Sequence, residues 1–339
     1  MPERLWWERV PAGTKMLAEI SRTLREGRCV LLDSDRVFRP AALRMYVQQA
    51  MAEVEYGAHW LTISAAGCRN AQQVTSYLMG SIGMTDDYAI NQQRLEALRG
   101  THAFVWVNGI LPDTRDAWLK LASELMRRKS RLRLILDMPL PDREIEGCDA
   151  ISSECSRFDI YYFAIMQLSG MTIRDSEIEY AATLCTELAE GDPQRCAQLC
   201  GKAVALLHDP EEVCRQVLPD ADVKRCICRA QTRVFLPMVD VCRVMAIELY
   251  EAELNKLLPF TDDQNNEVKD IGSVELRHIV HYANRIRLDD EIRVLLDSQR
   301  KVRNDVAHLK PLSYEEIGQF LIRVRTMELY HARAMHRAE

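Results

Sequence analysis

Hydrophobic and polar residues are distributed differently in the two halves of this chain. In the first half, short apolar runs alternate with segments of helical periodicity. The apolar runs are 29–33, 60–64, 104–108 and 132–136, with 161–165 as a further candidate. The helical segments between them include 40–54 and 116–128. Strands separated by helices predict an α/β fold, with a mostly parallel sheet covered by helices on both faces.

Beyond residue 173 the strand-like runs disappear. Short helical segments, separated by loops that contain glycine or proline, then follow at 174–190, 193–208, 211–218 and 222–235. This pattern predicts a helical linker or lid. Pro237 lies within a further helical stretch that reaches residue 258, so a kink or a new helix start is expected there. The polar segment 261–269 is predicted to be an exposed loop.

Three domains follow from these patterns. We predict an α/β domain over residues 1–170, a helical linker or lid over 171–230, and a C-terminal helical bundle over 231–339. Ser313 and Glu316 have the spacing of a capping box, which predicts the start of a last helix in the bundle. The preceding Leu309-Lys310-Pro311 is predicted to end the helix before it.

A polar cluster ends that preceding helix and reads Arg303-Asn304-Asp305-Val306-Ala307-His308. At about 100° per residue, the apolar positions fall on one side of a helix. The predicted buried stripe consists of Leu295, Val302, Val306 and Leu309. The opposite side carries Arg303, Asn304, Ala307 and His308, which is typical of a face kept for a partner or a substrate. In an arginine-rich chain the spacing alone could arise by chance, so the helical setting matters as much as the residues.

This cluster resembles the signature of the HEPN superfamily. Members are all-helical bundles with an Arg-x4-His motif, often Arg-Asn-x-x-Ala-His, on the next-to-last helix. Arg303, Asn304, Ala307 and His308 match the fuller form, and the resemblance covers about residues 234–330. It implies an endoribonuclease that uses no metal and attacks with the ribose 2′-OH, although some members only bind or scaffold. The expected setting is a prokaryotic antiphage defence system or a toxin.

The resemblance also implies roles for individual residues. His308 would transfer protons, because an imidazole gives or takes a proton near neutral pH. Arg303 would stabilise the charge that develops on the phosphate. Asn304 would orient the phosphate or the histidine, and Asp305 would anchor the motif to a neighbouring helix. The expected RNA-binding residues around them are Arg300, Lys301 and Lys310, and the alternative for these is an ordinary solvated face.

The assembly expected from the motif is a homodimer through the HEPN bundle. Arg303 and His308 lie about 140° apart on one helix, so a single copy converges poorly on one phosphate. Two copies related by a twofold axis would place four such groups around a shared cleft. RNA is the expected substrate, a regulatory protein is a further expected partner, and no cofactor or metal is expected.

The layout of the first half resembles the P-loop NTPase core in its AAA or STAND-like variants. A Walker A loop after the first strand requires Gly-x4-Gly-Lys-Ser/Thr. The chain has neither glycine nor lysine there and reads Asp33-Ser34-Asp35-Arg36-Val37-Phe38-Arg39-Pro40. The third strand ends at Asn108-Gly109, where a Walker B motif would present an acidic residue. We therefore expect a degenerate NTPase-like scaffold that is not an active ATPase. Arg36 and Arg39 could hold another anion, with a plain surface loop as the alternative.

Composition narrows these expectations further. The net charge of −6 argues against a uniformly basic surface for nonspecific nucleic-acid binding, but it allows a local basic patch.

Neither a signal peptide nor an apolar run long enough for a membrane span is evident, so a cytoplasmic protein without membrane contact is expected. The chain has eleven cysteines, and those between Cys185 and Cys228 fit zinc spacing poorly. They are expected to be reduced and buried on helices.

Two other functions stay open at this point. The chain could be a noncatalytic interaction or scaffold subunit of a defence complex, built from the NTPase-like domain and the bundle. It could also be a regulator that binds a nucleotide without hydrolysing it. An endoribonuclease is the leading interpretation, because the cluster at 303–308 is the strongest candidate for chemistry in the sequence.

Overall fold

The protein is described by a computed structural model. It describes residues 2–52, 57–218, 222–262 and 265–338. The chain divides into two compact units, Met1–Asp159 and Ile160–Glu339. The linker predicted over 171–230 and the bundle predicted from 231 both lie in the second unit.

The first unit is built on a five-stranded sheet. Its strands are β1 (Cys29–Leu32), β2 (His59–Ser64), β3 (Ala103–Asn108), β4 (Arg133–Asp137) and β5 (Cys148–Ile151). Their order is β2-β3-β4-β1-β5, and every neighbouring pair is parallel. The predicted parallel α/β arrangement is confirmed.

The helices of the first unit connect and cover these strands. They are α1 (Pro2–Arg9), α2 (Pro11–Arg25), α3 (Pro40–Ala52), α4 (Val74–Ser81), α5 (Asn91–Arg99) and α6 (Arg115–Arg127). The predicted helices at 40–54 and 116–128 correspond to α3 and α6, and residues 53 and 54 lie outside the described part of the chain.

The prediction of a strand at 161–165 is wrong. These residues lie in α7 (Arg157–Leu168), and the fifth strand is β5. The buried apolar positions of α7 are Ile160, Phe163, Ala164 and Leu168, which have the spacing of one helix face. The sequence pattern did not predict β5, because it is a short edge strand whose two central residues, Asp149 and Ala150, are not buried.

Helices cover both faces of the sheet, as predicted. On one face, Leu31, Val105 and Leu134 pack in a buried cluster with Leu78 of α4 and Trp118 of α6. On the other face, the guanidinium of Arg44 in α3 lies 5.7 Å from the centre of the Trp106 ring. Burial on both faces explains why these strands read as continuous apolar runs.

The second unit is almost entirely helical. After α7 it contains α8 (Asp175–Ala189), α9 (Pro193–Gly201), α10 (Ala203–His208), α11 (Pro210–Val217), α12 (Val223–Leu249), α13 (Glu251–Leu257), α14 (Leu276–His281), α15 (Asp290–Ala307) and α16 (Tyr314–Ala338). A small antiparallel hairpin, β6 (Phe260–Thr261) and β7 (Glu267–Val268), lies between α13 and α14. Residues 171–230 and 231–339, which the sequence predicted to be a helical linker and a helical bundle, are indeed mostly helical.

Several boundaries in this unit differ from the sequence pattern. α12 runs without interruption through residue 230, and Pro237 lies inside it, so no new helix starts there. The predicted helix at 193–208 is divided into α9 and α10 at Lys202. The predicted loop at 261–269 contains parts of the hairpin, and residues 263 and 264 lie outside the described part. The predicted break at 219–220 also lies outside it.

α12 is the central helix of the second unit. Its Phe235 is fully buried, and the ring centre lies 5.1 Å from Tyr180 in α8 and 5.2 Å from Phe320 in α16. Aromatic pairs at such distances add to the free energy gained by burial. α12 therefore links the helices on both sides of the predicted boundary at residue 230. Within the described helices, none is both long and apolar enough to cross a membrane.

Candidate functional site

The predicted cluster lies at the C-terminal end of α15. The helix ends at Ala307, and His308 is its C-cap residue, whose N–H donates to the carbonyl of Asn304 at 3.0 Å. Two further backbone bonds reverse the chain: Leu309 N–H donates to Val306, and Lys310 N–H donates to Asp305. These bonds form a Schellman motif, which fixes the backbone that carries the cluster.

One position of the predicted buried stripe is wrong. Val306 and Leu295 are buried and Val302 is half-buried, but Leu309 is 63% exposed. The helix has already ended at Leu309, so the 100° spacing no longer describes where its side chain lies. Leu309 instead occupies the C′ position with φ of 55°, a conformation that usually belongs to glycine.

Leu309→Gly should therefore stabilise the protein. Removing Cβ relieves the left-handed conformation, and the exposed side chain contributes little burial, so we expect the free energy of unfolding to rise by about 0.5–1 kcal/mol. Urea denaturation monitored by circular dichroism measures this change.

The matched control is Ile322→Gly, since Ile322 is also 63% exposed but lies inside α16. Glycine within a helix should lower the free energy of unfolding by about 1 kcal/mol. An equal decrease in the free energy of unfolding in the two variants would show that the left-handed conformation of Leu309 does not destabilise the protein.

Three polar side chains of the cluster are exposed: Arg303, Asn304 and His308. Across residues 2–52, 57–218, 222–262 and 265–338, no hydrogen bond or ion pair holds any of these three side chains. Asp305 differs, because it is half-buried and accepts from Lys310 Nζ at 3.2 Å. Asp305 therefore ties the turn after α15 to the helix itself, whereas its anchoring to a neighbouring helix stays a prediction.

The predicted RNA-binding cations are paired with carboxylates of the same chain. Arg300 Nη2 lies 2.8 Å from Asp297 Oδ1, and Lys301 Nζ lies 3.5 Å from Asp297 Oδ2. The hydrogen bond from Arg300, followed by the nearby positive charges, holds the pKa of Asp297 below its usual range. Lys310 is paired with Asp305. These pairs offset much of the local positive charge, and Arg303 differs from them in having no such partner in the described chain.

A groove of about 570 Å³ lies beside the cluster, between α15 and α16. Its charged lining residues carry both signs: Arg293, Lys301 and Arg323 are basic, and Asp297, Asp305 and Glu316 are acidic. Because the charges balance, the groove has no electrostatic preference for a phosphate backbone. The exposed Arg303 near the end of α15 is the better candidate for contact with an anion.

α12 holds the connection between α15 and α16 in place. Gln231, which is 1% exposed, donates from Nε2 to the carbonyl of Leu312 at 2.9 Å and accepts from its N–H at 2.8 Å. One turn earlier, the Cys228 thiol donates to the carbonyl of Leu309 at 3.2 Å. The predicted capping box is also present, since Glu316 N–H donates to Ser313 Oγ at 3.3 Å and Ser313 N–H donates to Glu316 Oε2 at 2.8 Å. No local pattern points to Gln231, because its partner lies 81 residues away.

The loop after β1 contains no phosphate cradle. Asp33 caps a short 3-10 turn, Ser34 N–H donates to Asp137 at the end of β4, and Phe38 is 2% exposed. Arg39 lies 3.5 Å from Glu3, and the side chain of Arg36 lies outside the described residues. Carboxylates and a buried ring therefore occupy the loop where a P-loop would present backbone N–H groups.

The cysteines are free thiols, and those at 185, 196, 200, 214, 226 and 228 are buried on helices, as predicted. In the described part of the chain, no group of three or more histidine, cysteine, aspartate or glutamate side chains is arranged to hold a metal ion.

Comparison with known proteins gives little similarity in sequence. No family model matches the chain, and no curated protein matches it. Among solved structures, the chain is similar to Cdc6p from Pyrobaculum aerophilum, with 12% identity, coverage of 94% of each chain and a TM-score of 0.42. A likeness of this size identifies neither a family nor an activity.

Proposed function

We propose that the second unit is a metal-independent endoribonuclease module of the HEPN type. The observation that supports it is the exposure of Arg303, Asn304 and His308 together at the end of α15, without partners in the described chain. Arg300 and Lys310, on the same segment, are each paired with a carboxylate, so these three side chains differ from their neighbours. Unpaired groups on a fixed backbone can bind a substrate at low cost, because no internal hydrogen bond has to break and the backbone is already ordered.

The proposed reaction uses the ribose 2′-OH next to the scissile phosphate. The 2′ oxygen attacks phosphorus, the bond to the 5′ oxygen breaks, and the products carry a 2′,3′-cyclic phosphate and a 5′-OH. His308 transfers a proton in this reaction. Arg303 stabilises the negative charge that develops on the phosphate oxygens, for which its forked guanidinium is suited. Asn304 orients the phosphate or the imidazole.

The active assembly in this proposal is a homodimer through the helical bundle. Arg303 and His308 lie about 140° apart around α15, so one copy presents them in different directions. A second copy related by a twofold axis would bring the missing group to the same phosphate. A protein that remains monomeric at micromolar concentration with RNA present, yet cleaves it, would contradict this arrangement.

The first unit serves as a scaffold or sensor in the proposal, without nucleotide hydrolysis. The support is the loop after β1, where Asp33 and the buried Phe38 occupy the position of a phosphate cradle. Prokaryotic defence, or action as a toxin, is the setting that we propose for the whole chain. A regulatory partner would then restrain or trigger cleavage.

RNA cleavage tests the proposal directly. The purified full chain is incubated in EDTA with a labelled RNA and with a DNA of the same sequence. We expect cleavage of the RNA alone, with 2′,3′-cyclic phosphate ends, because DNA lacks the attacking hydroxyl. Cleavage of both substrates, or a requirement for a divalent metal, would contradict the mechanism. Binding of RNA without cleavage would favour a noncatalytic interaction subunit.

A further inference from the structure

Two cysteines of the first unit lie directly opposite each other on neighbouring strands. Cys29 of β1 pairs in register with Cys148 of β5. Strands in a sheet are about 4.8 Å apart, and a disulfide spans Cα atoms separated by about 4.4–6.8 Å. Both residues belong to the same buried cluster, so their side chains lie on one face of the sheet. Their backbone positions are therefore compatible with a disulfide.

The two thiols interact with each other. Leu134 N–H donates to Cys29 Sγ at 3.3 Å. The neighbouring Cys148 thiol, the Leu134 N–H and the charge of Arg133 lower the pKa of the Cys29 thiol, whereas Cys29 and burial raise the pKa of Cys148. Loss of one proton from such a pair leaves a thiolate that the second thiol stabilises.

The groove reaches Cys148 but not Cys29. Cys148, which is 6% exposed, lines a groove of about 960 Å³, and Arg28 and Gly147 lie along the same groove, whereas Cys29 is fully buried. In the described sheet β5 is an edge strand of four residues that pairs with β1 alone. A small reagent in the groove can therefore meet Cys148 first, with Cys29 directly behind it on the neighbouring strand.

We propose that Cys29 and Cys148 form a reversible oxidation site that reacts with hydroperoxides to give a disulfide. The Cys148 thiol gives up its proton and its sulfur attacks one peroxide oxygen; the O–O bond breaks, and the other oxygen takes a proton and leaves as water or an alcohol. The resulting sulfenic acid is attacked by the second sulfur, which forms the S–S bond and releases water. Two thiols thus lose two electrons and two protons, and one peroxide is reduced. Thiols in the cell can return the pair to its reduced state.

Mass spectrometry of the oxidised full-length protein tests this site. The protein is treated with hydrogen peroxide, free thiols are alkylated, and peptides are mapped without reduction. We expect a peptide that links Cys29 to Cys148, the loss of two hydrogens in the intact mass, and recovery of both thiols with dithiothreitol. Oxidation that leaves these two cysteines unlinked, or links only other cysteines, would overturn the proposal.

Cys68 provides a matched comparison inside the same core. It is equally buried and reduced, but it lies outside the strands and its thiol donates to the carbonyl of Asn70. We expect the Cys29 and Cys148 thiols to be lost together as one linked pair, whereas Cys68 should enter no link. The variant Cys68→Ala should form the link normally, whereas Cys29→Ala and Cys148→Ala should not. A link that includes Cys68 in the unaltered protein, in place of the link between Cys29 and Cys148, would contradict the proposal, whatever the variants do.

Discussion

His308→Gln should reduce the rate of RNA cleavage by about 100- to 10,000-fold, which is the usual contribution of a side chain that transfers protons in the transition state. Glutamine keeps a polar side chain of similar reach but cannot exchange a proton near neutral pH. His308 is exposed and makes no side-chain bond in the described chain, so the substitution should leave the fold intact. Single-turnover cleavage of a labelled RNA measures the effect, and circular dichroism checks the fold.

Arg303→Ala should reduce the rate of RNA cleavage by about 100- to 1,000-fold, as expected for loss of a charged group that stabilises the transition state. The control is Arg300→Ala, one turn earlier on α15. Arg300 is paired with Asp297, so its removal should change cleavage far less. Equal cleavage by the parent, Arg303→Ala and His308→Gln would remove these residues from the mechanism and assign any activity to another site or to a contaminant.

Mixing the two inactive variants tests whether the site is shared between copies. A mixed dimer of Arg303→Ala and His308→Gln still contains one arginine and one histidine in a shared cleft. Partial recovery of cleavage on mixing would support the composite site. No recovery, although mixed dimers form, would show that each copy needs its own complete pair.

Gln231→Leu should lower the free energy of unfolding by about 2–4 kcal/mol, because each buried backbone group left without a partner costs about 1–3 kcal/mol. Leucine fills a similar volume but cannot bond the N–H and carbonyl of Leu312, both of which Gln231 satisfies. The Tyr180 hydroxyl would lose its bond from Gln231 as well. Urea denaturation monitored by circular dichroism measures the loss.

Gln319→Leu is the matched control. Gln319 is exposed on α16 and bonds only to Glu315 in the described structure, so its replacement should change stability by no more than about 0.5 kcal/mol. If Gln231→Leu is as stable as this control, the connection between α15 and α16 does not depend on α12. If the Gln231→Leu variant is less stable, its rate of RNA cleavage should also fall at temperatures where it remains folded, because this connection directly follows His308.

The elements that the sequence predicted well are those with a strong local pattern. β1, β3 and β4 are largely buried and read as continuous apolar runs, and α16 begins at a capping box formed within four residues. β5 was not predicted, because it is a short strand that buries only its two outer positions, and the aromatic residues of α7 have the composition of a strand. Of the two edge strands, the apolar run predicted β2 but nothing predicted β5, so the local pattern identified the interior of the sheet better than its edges.

In the candidate site, too, local features could be predicted from the sequence and contacts between distant residues could not. The end of α15 and the exposure of Arg303, Asn304 and His308 follow from helical spacing and a proline shortly afterwards. The exposure of Leu309 depends on a chain reversal that periodicity does not include. The pairs of Asp297 with Arg300 and Lys301 span three and four residues, so helical spacing already allows them. The bonds of Gln231 join residues 81 positions apart, and contacts of that kind require the folded chain.

The continuity of α12 also bears on how the second unit unfolds. Phe235 contacts Tyr180 on one side and Phe320 on the other, while Gln231 bonds the connection that precedes α16. Melting this helix would expose both hydrophobic interfaces and release the end of α15 in the same event. The segment before residue 231 and the segment after it should therefore behave as one cooperative folding unit. In such a unit, binding energy gained at Arg303 or His308 would protect amides as far away as α8.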